Sequence, residues 1–279
     1  MAKASAKGRI AAAEPRVRRG YFECRYGQLH VHNAIPPGGG FDEATPLLCL
    51  HPSPASGHAF HRLSRALAQD RSVYAPDLPG FGDSDAPPDK PSIDDYAAAI
   101  GDFCDTMRLR QIDVLGCLGG SFVAAELAIV RATQVRRVAL MGLPIASDAE
   151  REAFRHAPWP LPPAADGSHL LIEWQRTIQS RTGLPLDAAA RAFADKLLAG
   201  ANAGWGTEAA LEYPARTRLG RVTQPTLLVR PRDEASDPTL RARELMPRAR
   251  FLELSASSNE MLELAPEALL AALREFLRG

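Results

Sequence analysis

The sequence predicts an α/β protein: a mostly parallel central sheet opened by an N-terminal hairpin, with helices on both faces and a helical insert. Three observations predict it. Short continuous apolar runs, as expected of strands buried on both faces, alternate with helix-length segments up to about residue 143. The alternation stops at Pro144, gives way to the mostly helical stretch 144–224, and resumes at Pro225. Repeated strand–helix units of this kind close into a parallel sheet, because each crossover helix must pack back on one face.

The elements follow in order. Tyr21–Arg25 and Leu29–Ala34 alternate in polarity around Tyr26-Gly27-Gln28 and predict a β-hairpin. Pro46–His51 is a continuous apolar run and predicts a buried strand, followed by a helix over Gly57–Gln69. Ser72–Ala75 predicts a strand that runs into the loop Pro76–Asp83. Ser92 caps a helix reaching about Arg108, with Asp94 and Asp95 in its positively polarised first turn. Strand Gln111–Gly116, helix Ser121–Val130 and strand Arg137–Met141 come next. After the insert, Thr226–Arg230 and Arg250–Leu254 predict strands, and Pro238–Met246 and Pro266–Leu277 predict helices. The expected organisation is a basic flexible leader over 1–19, a core formed by 20–143 and 225–279, and a helical cap over 144–224.

Composition narrows the function classes. With 46% hydrophobic and 24% charged residues the chain is globular in character, and no run reaches the roughly 18 apolar residues of a membrane span. Thirty-three basic residues balance 33 acidic ones, so no global field draws it to nucleic acid. The leader is locally basic, with Lys3, Lys7, Arg9, Arg16, Arg18 and Arg19 against Glu14, but no secretory apolar segment follows it. Cys24, Cys49, Cys104 and Cys117 are widely spaced, which argues against a disulfide framework or a zinc site and suits a reducing cytoplasm. The expectation is a cytoplasmic protein of open oligomeric state that binds a small molecule and neither nucleic acid nor membrane. No P-loop is present, and Gly116-x-x-Gly119-Gly120 lacks the middle glycine of a dinucleotide loop, so no cofactor is expected. His58 and His61 sit one helical turn apart without a local carboxylate or cysteine ligand, so no metal is expected either. His30 and His32 alternate along the hairpin and are expected to face solvent.

Several motifs in order resemble the α/β-hydrolase superfamily, in its capped branch. They are Leu50–Gly57 after a buried strand, Pro76–Ser84, and Val114–Ser121 leading into Val123–Ala128. The resemblance covers roughly residues 20–279 and implies the α/β-hydrolase fold. It also implies a nucleophile at the centre of a G-x-S-x-G turn. In Gly116-Cys117-Leu118-Gly119-Gly120 that centre is Leu118, which is inert. The histidine that the family carries before the last helix is replaced by Asn259, counting back from Pro266-Glu267, and no histidine follows His169. Asparagine does not shuttle a proton near neutral pH. The acid is retained as Glu234 or Asp233. The resemblance places the oxyanion donors at Ser53 and Gly119.

Other residues could carry a displaced mechanism. Cys117 precedes the turn apex and reads better as a buried cysteine than as a nucleophile. Ser121 belongs to the first helical turn, and His51 reads as a support for the oxyanion loop rather than a base. Trp159, Trp174 and Trp205 all fall in the insert, where they either pin helices or, for Trp159 and Trp174, line a substrate pocket. Three readings result. One is a member of the hydrolase lineage (ester, carbon–carbon or carbon–halide type) with a degenerate triad and a pocket for a small apolar carbonyl compound. The second is a hydrolase with a rebuilt or engineered site, and the third a partner-binding protein without catalysis.

Overall fold

The computed structural model of the chain describes residues 14–39, 43–156 and 159–279. Eight strands form one sheet in the order β1-β2-β4-β3-β5-β6-β7-β8. β1 (Arg16–Cys24) and β2 (Gly27–Ile35) make the expected hairpin, with Cys24 opposite Gly27. β3 (Leu47–Leu50) is followed by a short 3-10 turn and α1 (His61–Leu67), then by β4 (Val73–Pro76). α2 (Ile93–Thr106) starts at Ser92, whose hydroxyl accepts from the Asp95 N–H while the Asp95 side chain accepts from the Ser92 N–H, a closed capping box. β5 (Ile112–Cys117), α3 (Gly119–Val130) and β6 (Val135–Met141) complete the first half.

The insert is helical throughout its regular structure: α4 (Asp148–Arg155), α5 (Ser168–Gln179), α6 (Leu186–Ala199), α7 (Trp205–Glu212) and α8 (Ala215–Arg218). The chain then returns to the sheet with β7 (Thr226–Arg230), α9 (Ser236–Leu245) and β8 (Arg250–Glu253), and ends with α10 (Ser258–Leu264) and α11 (Glu267–Arg278). The two strand pairs β1–β2 and β2–β4 are antiparallel, and the remaining pairs are parallel.

Strand alternation sorts the core into two layers. Leu48, Leu50, Val114, Val138, Leu140 and Leu228 point to the face covered by α2 and α3. Their neighbours Leu47, Cys49, Leu115, Cys117, Ala139 and Met141 point to the opposite face, against α1, α10 and α11. A strand buried on both faces has no polar side to display, which is why these segments read as unbroken apolar runs.

Three expectations need correction. Arg16, Val17, Arg18 and Arg19 belong to β1, so the last four positions of the 1–19 leader are sheet; residues 1–13 lie outside the described residues, as does Pro158. His30 does not face solvent: it is 3% exposed, and its Nδ1 lies 2.9 Å from Asp77 Oδ2. His32, on the same face of β2, is half-buried. Finally, the expected elements lack α10, which begins at Ser258 and holds Asn259 in its first turn. The Ser257–Glu260 capping box that starts it was legible as an S-x-x-E signature.

Candidate functional site

The junction of β5 and α3 is built from glycines for a steric reason. A Cβ on Gly120 would collide with the Leu50 carbonyl oxygen, and one on Gly116 would lie 2.5 Å from Ser121 Cα. Strand and helix can therefore approach only with glycine at both positions. Between them Leu118 takes φ 49° and ψ −118°, a region that side-chain-bearing residues rarely occupy. This strained turn is where the sequence places the nucleophile elbow, and the residue on it carries an aliphatic side chain.

Leu118 lies on the wall of a cavity of about 520 Å³. Ser53, Gly119, Asp233, Glu234 and Asn259 line the same cavity, so loops after β3, β5, β7 and β8 converge on it. The insert contributes Gln179, Ser180, Thr207 and Ala210. Ser53 and Gly119 reach the cavity wall together, and among the described residues neither backbone N–H donates to another backbone carbonyl.

The acid position resolves into two unlike residues. Asp233 is half-buried, and its two oxygens accept from the Ser258 N–H at 2.6 Å and the Ala235 N–H at 2.9 Å. Glu234 is exposed. Asn259 is engaged on both ends of its amide. Its Oδ1 accepts from Arg181 Nη1 at 2.5 Å, and its Nδ2 donates to the Ser180 carbonyl at 2.9 Å. Both partners lie just after α5, so Asn259 fastens the insert to the core.

The displaced candidates are otherwise employed. Cys117 is fully buried in the layer under α10 and α11, and burial pushes its thiol far up, which is wrong for a nucleophile. Ser121 Oγ, also buried, donates to the Met141 carbonyl at 3.3 Å. His51 accepts at Nε2 from the Leu78 N–H at 2.8 Å and has Nδ1 3.0 Å from the Pro52 carbonyl. Complete burial depresses its pKa, and both ring nitrogens bind the loop together, so it has no free lone pair for base chemistry. None of the three lines the cavity.

Trp159 and Trp174, expected at the substrate pocket, do not line this cavity. Trp174 meets Phe193 edge-on with ring centroids 5.4 Å apart, joining α5 to α6. Trp159 packs against Phe154 and the upper core layer. Both rings are half-buried and make packing contacts.

Ser258 is a further residue of the site that carries no signal in the sequence. Its hydroxyl is buried, has no hydrogen-bond partner, and belongs to the cavity lining. A Cβ on Gly142 would stand 3.0 Å from Leu118 Cδ2 and 3.3 Å from Ser258 Oγ, so both side chains close on that glycine. No sequence pattern marks such a hydroxyl, since its isolation is a property of the packing around it.

Away from the cavity, His30, His32 and Asp77 bring three potential metal donors within 4.8 Å of one another. Asp77 is already the hub of its loop. Its Oδ1 accepts from the Gly57 N–H at 2.7 Å, and its Oδ2 accepts from the Asp83 N–H at 2.9 Å and faces His30. A metal ion there would have to displace that network.

The mixed sheet with its crossover helices, the strained turn after β5 and the loop-lined cavity above it define a protein with the α/β-hydrolase architecture. The chain belongs to the alpha/beta hydrolase fold family, whose profile matches residues 45–238. It is 34% identical over 115 residues to 2-hydroxymuconate semialdehyde hydrolase from Pseudomonas sp., a stretch covering 39% of each chain. It is 30% identical over 123 residues to haloalkane dehalogenase 2 from Mycobacterium bovis, covering 43% of this chain and 40% of that one. The match thus spans about two fifths of the length of these curated relatives. Among solved structures, the enol-lactonase from Burkholderia xenovorans superposes with a TM-score of 0.73 at 17% identity, over 93% of this chain and 100% of that one. The esterase from Thermogutta terrifontis does so with a TM-score of 0.72 at 19% identity, over 94% and 98%. At such identities the likeness is one of fold.

Proposed function

We propose that this chain is an α/β-hydrolase-family protein with a degenerate triad, which binds a small, largely apolar carbonyl compound in the cavity above Leu118. It carries little or no ordinary serine-hydrolase activity. The observation that carries this reading is Leu118 itself: the turn that lifts a nucleophile in the family holds a side chain with no lone pair to attack with. Asn259 supports it, because both ends of its amide are tied to the insert and neither can accept a proton from a hydroxyl. Ser53 and Gly119 supply backbone N–H groups suited to a carbonyl oxygen, and the hydroxyl of Ser258 offers one further polar contact. The names of the curated relatives, a semialdehyde hydrolase and a haloalkane dehalogenase, point to the same size class of organic ligand.

A rebuilt hydrolase is the second reading. The observation that favours it is that the free Ser258 hydroxyl and the Asp233 carboxylate share one cavity. Intact mass and turnover with p-nitrophenyl butyrate separate the two. No adduct and background hydrolysis are expected; an acyl group mapped to Ser258 would replace the first reading with the second.

A further inference from the structure

A second cavity of about 350 Å³ lies between the hairpin and α1, and it shares no lining residue with the one above Leu118. Strand alternation turns Arg19 of β1 and its cross-strand neighbour His32 of β2 to this wall, which His58, His61 and Arg65 from the turn and helix after β3 complete. Among the described residues no carboxylate lines it. Arg65 is paired with Glu14 at 2.8 Å, whereas no carboxylate of the described residues pairs with Arg18 or Arg19.

Four of the seven histidines of the chain gather here. The rings of His30 and His32 are 4.6 Å apart, those of His32 and His58 5.6 Å, and those of His58 and His61 are stacked at 4.8 Å. We propose that this cavity is a binding site for a multiply charged oxyanion of the phosphate or diphosphate class, held by the guanidinium of Arg19 and by the imidazoles of His32, His58 and His61. An unpaired guanidinium binds such oxygens with short charge-assisted hydrogen bonds, and a wall of donors without a carboxylate disfavours cations. The same wall argues against a metal ion: a dication would meet the free Arg19 guanidinium, and the Asp77 oxygens are already engaged.

Charge couples the site to protons. Burial holds His32 at about 4, against the pull of Asp77, with His30, His58 and Arg19 pushing the same way as burial. Burial, His58, Arg62 and Arg191 hold His61 at about 4. Burial and Arg191 lower His58, opposed by Glu263 and Asp77, while Arg19 again disfavours its charge. A bound dianion reverses the sign of the local field and raises these values, so binding takes up protons and strengthens as pH falls below the ordinary histidine value.

The test is titration calorimetry of the full chain with sulfate, which stays dianionic across the relevant range, and with inorganic pyrophosphate. One-to-one binding is expected, with sulfate about tenfold tighter near pH 5 than near pH 8. Arg19→Gln should weaken both ligands by about tenfold or more, and this exposed position leaves the fold intact by circular dichroism. His58→Gln should weaken binding at both pH values and reduce its pH dependence. Sulfate affinity that is equal at the two pH values, or unmoved by Arg19→Gln, overturns the proposal. So does a cobalt titration that yields a tetrahedral absorption band abolished by His32→Ala, since the cluster is then a metal site.

Discussion

Arg181 Nη1 donates to Asn259 Oδ1 at 2.5 Å across the junction between insert and core. Asn259 is therefore a fastener. Its other end holds the Ser180 carbonyl, so both ends of the amide are fixed by the one segment that follows α5.

Restoring the family residues tests that placement. Leu118→Ser alone is expected to leave ester turnover at background, because no base activates the hydroxyl. Leu118→Ser with Asn259→His should form an acyl adduct and raise turnover by about two orders of magnitude, the usual worth of a positioned general base. The double variant gives up both Asn259 hydrogen bonds, costing about 1–3 kcal/mol in stability. A folded double variant without adduct means that Leu118 or Asn259 does not occupy the assigned position.

Backbone strain at the turn predicts an inverted order of two substitutions. Leu118→Ala and Leu118→Gly both remove the side chain, but only glycine is at ease at φ 49°, ψ −118°. Leu118→Gly should therefore be the more stable by about 1 kcal/mol or more in urea denaturation, the reverse of their order inside a helix. Equal midpoints would show that the turn relaxes.

Glu126 on α3 is fully buried and accepts from Tyr213 Oη at 2.7 Å and Arg218 Nε at 2.9 Å, with a second, closer bond from Arg218 Nη2. Arg218→Ala strands this carboxylate and is expected to cost about 3–5 kcal/mol. Replacing both partners, Glu126→Leu with Arg218→Met, should cost clearly less, because no buried charge remains. Denaturation midpoints of the two variants decide it, and equal losses would contradict the burial of the pair.

Acid should weaken the fold. His32 and His61 titrate at about 4 when folded, against 6.5 ordinarily, so between those values the unfolded chain binds protons that the folded one refuses. Stability then falls as pH drops from 6.5 towards 4. Asp195 works the other way. Burial raises it from 3.8 to about 6, so its folded form keeps a proton in that interval and loses stability as pH rises through it. Two histidines outweigh one carboxyl, and Tm should decline from neutral pH towards acid. His61→Gln should make the decline shallower; an unchanged slope would remove His61 as its source.

How much was legible follows from how local each signal is. The central strands read correctly because burial on both faces forces an unbroken apolar run, and β7 falls on the expected Thr226–Arg230. Ser92 was legible as a cap because its partners are within one turn. Glycine spacing and the count back from Pro266 single out Leu118 and Asn259 in the chain, and the tertiary structure brings both to one cavity wall. The sequence could not show that His30 turns inward to Asp77, since the partner lies 47 residues away and strand alternation alone does not say which face is covered. Nor could it show that Trp159 and Trp174 are spent on packing, because a tryptophan in a pocket and one in a helix interface have the same sequence surroundings.

The sequence by itself determined the order of strands and helices, the two glycines that permit the close β5–α3 approach, and the identity of the residue on that turn. Periodicity, caps and steric demands act over a few residues and are written in the chain. Tertiary structure alone decided that Asp233 rather than Glu234 is turned inward, that Ser258 keeps an unpartnered hydroxyl, and that four distant histidines meet. Those outcomes depend on which surfaces long-range packing closes off from water, and no local pattern encodes them.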